Sequence, residues 1–367
     1  SSTQLNALST SPQFVALTTA DLNVLTTGQI ANLSTAQVQA LTSTQIGNLT
    51  TDSLNALSSA QFAVLNSGQF SALTTGQLGH LETADLRAVT TAALNGLNSD
   101  QVAALASDAV GAMTTAQIGS LSTAQLKGLT TGDMVALTSA QVASLTSAQV
   151  AGLSTAQLAA IETGDIKALS TAALRNLSTD QLDAFTSDQL RALSSTQLNA
   201  LTTSPQFVGL GTADLNVLTT GQMASLSTAQ VQALTSTQLT NLSTGNLNAL
   251  TSGQFAALSS SQFGSLTTGQ LAKLETADLR AVSTAAINGL SSDQVAALAS
   301  DAVGALTTAQ VAALGTAQMA GLNTADMVAL TSGQVAALSS AQAGALSTAQ
   351  IAAVETADIK SLSTAAL

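Results

Sequence analysis

The stretch LSTAQLKGLTTGDMVALTSAQVASLTSAQVAGLSTAQLAAIETGDIKAL, Leu121 to Leu169, holds six eight-residue phrases in a row and the first residue of a seventh. Read from its leading apolar residue, the phrase is apolar, Ser/Thr, Ser/Thr, small or polar, Gln, apolar, variable, small. We number these positions 1 to 8. The phrase fills the chain. Position 1 recurs in steps of eight from Leu17 to Leu201, with conservative replacements such as Val89, Met113, Ile161 and Phe185. Position 6 holds Leu22, Ile30, Val38, Ile46, Leu54 and Phe62, and Ala343 is the one residue there smaller than Val.

The register slips by one residue at two places. Leu8 to Leu17 spans nine residues through STSPQFVAL, and Leu201 to Leu210 spans nine through TTSPQFVGL. The slips lie 193 residues apart, which is 24 octads plus one residue. SSTQLNAL at Ser1 returns at Ser194, and LETADLRAV at Leu81 returns at Leu274. The organisation expected is a first block over 1–193 and a second, truncated copy over 194–367, one continuous array without a true domain boundary. Both ends fall within the repeat, so the chain is read as a segment of something longer.

The octad cannot run as one continuous helix. Eight residues at 100° each leave about 80° of drift, and the leucines would make no stripe. It cannot be a flat strand either. Spacings of five and three are both odd, which puts positions 1 and 6 on opposite faces. A broken helix fits: a short helix over positions 4 to 8, then a bend at each Leu–Ser/Thr–Ser/Thr. Position 3 is Ser or Thr in essentially every octad, whereas position 2 admits Glu82, Asn98, Ala106 and Gly211. Pro12 and Pro205 fall at position 4, and Pro suits the first helical residue after a cap. Position 3 is therefore the preferred N-cap. The alternative frame puts the cap at position 2, with Gln as its capping-box partner and positions 1 and 6 as a hydrophobic staple. Burying two large apolar groups does not offset the entropy of fixing eight backbones, so one octad cannot stand alone. The fold class expected is all-α: a solenoid of very short helices, one per octad, with three or four octads per coil. Positions 1 and 6 face inward; Ser, Thr and Gln face out or form ladders.

Composition excludes several classes. Aromatics are 2% with no Trp or Tyr, charged residues are 8%, and hydrophobics are 46%. That is too apolar for a disordered tail, yet no apolar run approaches the length of a membrane span. The net charge of −12 argues against nucleic acid as a partner. There is no Cys, so no disulfide or thiolate-held metal staples the fold. No signal peptide is expected within these residues.

The duplicated block offers an internal test of candidate sites. His80, the single His, is replaced by Lys273 in the second copy, which argues against catalysis or metal binding. Phe14, Phe62 and Phe70 recur as Phe207, Phe255 and Phe263 at core positions, and coils are expected to widen around the rings. With one His there is no nucleophile–base arrangement, and the scattered Gly form no phosphate loop. No enzyme activity and no cofactor are expected. Asp100 and Asp108 recur as Asp293 and Asp301, each after a hydroxyl residue. Such pairs could bind calcium, although no dense acidic loop is present. Four charged octads are the most distinctive: Glu82, Asp85 and Arg87; Glu162, Asp165 and Lys167; Glu275, Asp278 and Arg280; Glu355, Asp358 and Lys360. They read either as solvated ion-pair patches or as contacts with a neighbouring chain or coil, with charge setting register.

The Leu–Ser/Thr–Ser/Thr–x–Gln–apolar phrase resembles the octapeptide arrays of very large bacterial secreted or surface tandem-repeat proteins, over the whole chain. The resemblance implies an extracellular structural or adhesive role and carries no functional residues across. A shorter likeness, Leu-Thr-x-x-Gln-Val, to the DNA-reading repeats of TAL effectors is discounted, because those repeats are longer and basic. The leading expectation is a structural protein whose octads stack into an extracellular filament, fibre or stalk and which associates with itself end to end or laterally, with no membrane insertion. The alternative is an adhesin or scaffold whose outer face grips a partner or surface. Ice binding by a Ser/Thr ladder is a third, weaker reading.

Overall fold

The computed structural model describes residues 1–362. Among them, 42 short α-helices and three other helical turns follow one another, about one per octad, and no strand occurs. The helices have four to six residues. The all-α solenoid expected from the octad is the fold observed. Two compact units are distinguished, Ser1–Leu193 and Ser194–Leu367.

Each helix is started by its own octad. In the octad at Leu33, Ser34 is extended (φ −67°, ψ 151°) and caps Thr35–Ala40. Its hydroxyl accepts from the Gln37 amide at 3.2 Å, and Gln37 Oε1 accepts from the Ser34 amide at 3.1 Å. This reciprocal box recurs at Thr138/Gln141, Ser154/Gln157 and Thr307/Gln310. The cap is therefore position 2, the alternative frame, and the preference for position 3 is corrected. The reason is reach: the box closes only when the acceptor lies three residues before Gln. Variation at position 2 is tolerated because Glu82, Ala106 and Glu275 start their helices without a side-chain cap bond. Ser154→Ala is expected to cost about 1 kcal/mol, and Thr155→Ala, one residue on, to be near neutral. Urea unfolding of the two variants checks this.

The helices end without left-handed caps; no described residue, glycine included, has a positive φ. In six-residue helices the chain turns through position 1, which is extended, as Leu41 is (φ −58°, ψ 138°), and position 2 then opens the next helix. Where the register slips, the residue before each proline is extended, Ser11 (φ −143°, ψ 134°) and Ser204 (φ −140°, ψ 136°), so Pro12 and Pro205 open the helical turn that follows, as the sequence suggested. Pro12 lies inside a wider turn, Thr10–Phe14, in which the Phe14 amide donates to Ser9 O at 3.0 Å. Gln13 Oε1 still accepts from the Ser9 amide, now four residues back. Thr203–Phe207 repeats this arrangement in the second unit.

Positions 1 and 6 form the core, as expected. Ile46, Leu54, Val150 and Leu158 are fully buried, and so are Phe62 and Phe70 and their copies Phe255 and Phe263. Each buried side chain of this size contributes about 2 kcal/mol. Helix Thr83–Ala88 packs against Ser59–Phe62 on one side and Ser107–Ala112 on the other, each three octads away. In the second unit Thr276–Ala281 packs against Ser252–Ala256 and Ser300–Gly304. A cavity of about 320 Å³ lies beside Ala343, lined by Val335, Leu338, Leu346, Ile351 and Val354.

Candidate functional site

The chemistry of this molecule lies in the seam between successive coils, and Gln at position 5 makes most of it. Gln was expected to face outward or form ladders; it is buried, as Gln37, Gln69, Gln141, Gln189 and Gln230 are. Gln141 exhausts its amide. Oε1 accepts from the Thr138 amide at 2.8 Å and from the Thr138 hydroxyl at 3.0 Å. Nε2 donates to Met113 O at 2.7 Å, Val110 O at 3.1 Å and Gly111 O at 3.2 Å. Those carbonyls close helix Ser107–Ala112, four octads upstream. A helix end leaves carbonyls without partners, and here a side chain of the next coil supplies the donor. The same bonds join Gln69 to Leu41 and Val38, Gln189 to Ile161 and Leu158, and Gln310 to Val282 and Leu279.

Position 7 adds a second tie. Asn23 Nδ2 donates to Asn48 O and Asn216 Nδ2 to Asn241 O, each 25 residues on. Asn23 Oδ1 accepts from the Thr50 amide and Asn216 Oδ1 from the Ser243 amide. Seam bonds thus span 25 to 32 residues, which makes one coil three to four octads long. Glycine appears where backbones approach most closely. A Cβ on Gly128 would lie 2.1 Å from Ser99 O, and one on Gly289 2.3 Å from Ser260 O.

The charged octads divide by position. Glu82, Arg87, Glu162, Lys167, Glu275, Arg280, Glu355 and Lys360 are exposed. The aspartates turn into the seam: Asp85, Asp278 and Asp358 are buried and Asp165 is half-buried. Each accepts from a serine hydroxyl three octads upstream. Ser59 donates to Asp85 at 2.8 Å and Ser252 to Asp278 at 2.8 Å, while Ser139 donates to Asp165 and Ser332 to Asp358. Two octads outside the charged set do likewise, Ser107 with Asp133 and Ser300 with Asp326, both at 2.7 Å. Burial pushes the Asp85 carboxyl above the ordinary carboxylate range; the Ser59 hydroxyl pulls it back, and the Glu82 charge adds to the rise. Asp278 is raised in the same way, with Ser252 and Glu275 in those roles. Asp21, in the first coil, is lowered instead, by the Thr18 hydroxyl and amide.

The charged octads at residues 81 and 161 are ten octads apart, whereas seam bonds join octads three or four apart, so they do not meet in one cluster. Arg191 and Asp188, outside these octads, form an exposed ion pair at 3.7 Å. His80 is exposed, with Nδ1 2.8 Å from Gly76 O in its own octad. The Asp108 and Asp301 carboxylates each accept from the next residue's amide at 2.9 Å. Among the described residues, no group of three or more His, Cys, Asp or Glu is placed to hold a metal ion, and no helix is long and apolar enough to cross a membrane.

The Ser–Asp pairs were missed by reading octads singly, yet the sequence carries their signal. A serine, not a threonine, stands 26 residues before each of these six aspartates.

Compared with known families, the chain matches the model of the ALTTAQ repeat ten times in tandem: residues 14–51, 48–82, 78–115, 110–139, 127–161, 158–194, 207–244, 242–274, 271–308 and 319–355. No curated protein matches it.

Proposed function

The chain belongs to the ALTTAQ repeat family, and from that premise we propose that it is a structural protein whose octads stack into an extracellular filament, fibre or stalk. The observation that carries this reading is the sameness of the seam. The bonds Gln69 makes to the coil before it are the bonds Gln310 makes in the other unit. Each coil presents the donors and carbonyls that the next one uses, so stability comes from stacking and length from adding octads. In this reading the protein has no catalytic task and no cofactor. Its weakly charged, hydroxyl-rich surface favours close lateral packing with further copies. Electron microscopy of the purified chain at rising concentration tests the idea. Uniform fibres with a repeating axial period are expected. Particles that stay discrete at every concentration would remove self-assembly from the proposal.

The partition of the charged octads favours a second reading, an adhesin or scaffold that grips a partner. Their Glu and Arg or Lys side chains remain exposed while their Asp side chains serve the seam. Exposed charges of this kind contribute under about 1 kcal/mol to stability. Replacing Glu82, Arg87, Glu275 and Arg280 together by Gln is therefore expected to leave the thermal midpoint within a degree or so. A loss of fibre formation in that variant would assign these charges to assembly; loss of surface binding with fibres intact would assign them to a partner.

A further inference from the structure

Asp85 and Asp278 occupy a place built for a donor. At position 5, Gln141 sends its Nε2 to carbonyls 28, 30 and 31 residues upstream. The shorter Asn246 does the same, to Leu215 O at 3.0 Å and Asn216 O at 3.2 Å. The residues at the latter separations from Asp85 are Leu54 and Asn55, and from Asp278 they are Leu247 and Asn248. A carboxylate has only acceptors to offer them. Asn55 and Asn248 add a further acceptor, for their Oδ1 atoms are buried with no hydrogen-bond partner in either unit. Their Nδ2 groups are spent on His80 O at 2.9 Å and Lys273 O at 2.7 Å.

No basic side chain comes from the packed helices. Helix Thr83–Ala88 lies against Ser59–Phe62, which has no charged residue, and Ser107–Ala112, which has Asp108. Asp52 lies on the helix four octads upstream, and the octad itself carries Glu82 and Arg87, both exposed. Around Asp278 the corresponding groups are Asp301, Glu275 and Arg280; Ser252–Ala256 and Thr244–Asn248 carry no charge.

We propose that these two seams are tightened by acid, because protonation turns each aspartate into a hydroxyl donor where acceptors outnumber donors. The proton comes from solvent, and the neutral carboxyl keeps its serine bond while donating to an acceptor of the coil below. The direction of titration agrees. Burial raises both carboxyls in the native state, so the native state binds more protons than the unfolded chain between the ordinary and the raised value. The stabilisation is complete below the ordinary carboxylate range and is lost as pH rises through the raised value. Asp21, being lowered, acts only below that window.

Hydrogen exchange of the full chain, corrected for intrinsic rates and compared at about pH 7 and about pH 5, reads the effect seam by seam. Protection around residues 54–62, 83–89, 247–255 and 276–282 is expected to rise at the lower pH relative to the other seams. Protection around 138–145, where position 5 is Gln141, is expected to stay constant. The double variant D85N/D278N should hold the higher protection at both pH values, since Asn246 already serves at this position; D85Q/D278Q gives an independent check. Unchanged protection in the wild type would overturn the proposal. So would a rise spread evenly over all octads, or one that survives in the double variants, since either would mean general relief of charge repulsion.

Discussion

Replacing Gln141 by glutamate is expected to lower stability by about 2–4 kcal/mol at neutral pH, although the side chain keeps its shape. The change removes one function, the Nε2 donor. Three carbonyl oxygens, those of Met113, Val110 and Gly111, would then face a carboxylate oxygen. Those carbonyls are also the negative end of helix Ser107–Ala112. The residue is 2% exposed, so water cannot relieve the repulsion. The loss should appear in urea unfolding and as faster hydrogen exchange at both partners, residues 107–113 and 139–145. It should shrink as pH falls, because a buried glutamate with raised pKa regains a proton and with it one donor. Gln141→Ala removes the bonds without adding charge and should cost less. A glutamate variant as stable as wild type at neutral pH would show that the seam does not depend on this donor.

The second large effect concerns one substitution with opposite signs at two glycines. Gly128→Ala is expected to destabilise by about 2–3 kcal/mol, as overpacking against a fixed backbone does. Its Cβ would meet Ser99 O at 2.1 Å, Ser99 C at 2.9 Å and Ser99 Cα at 3.0 Å. All three are main-chain atoms, so relief requires moving one coil away from the other. Gly76→Ala should instead stabilise by about 0.5–1 kcal/mol through helix propensity and a less flexible unfolded chain. Its Cβ would find only Thr74 Oγ1, at 3.9 Å. Both glycines have ordinary backbone angles, so conformational strain predicts no difference between them. Equal stability of the two variants in thermal or urea unfolding would refute the close approach at Gly128.

Much of the fold was legible because the octad's main devices are local. The break in the helix follows from a Ser/Thr three residues before Gln, and the core follows from the five-and-three spacing of apolar residues. The two cap frames were harder to separate. Position 3 is the more uniform, yet it is not the cap. Position 3 is the first helical residue, and in Ser59, Ser107, Ser252 and Ser300 its hydroxyl reaches the next coil. The charged octads were legible as distinctive, but the split within them was not. Asp85 and Arg87 are two residues apart in sequence, yet one is buried in the seam and the other is exposed.

The sequence by itself thus determined one short helix per octad, a core of positions 1 and 6, and a solenoid made by stacking. Those properties depend on interactions within eight residues and on the need of each octad for neighbours. Only the tertiary structure decided that Gln141 closes the helix four octads upstream, that Ser59 meets Asp85, and that Gly128 must lack a side chain whereas Gly76 need not. These contacts join residues 26 to 31 positions apart. That separation is set by how far the chain turns at each bend, a geometric sum over three to four octads that no single octad contains.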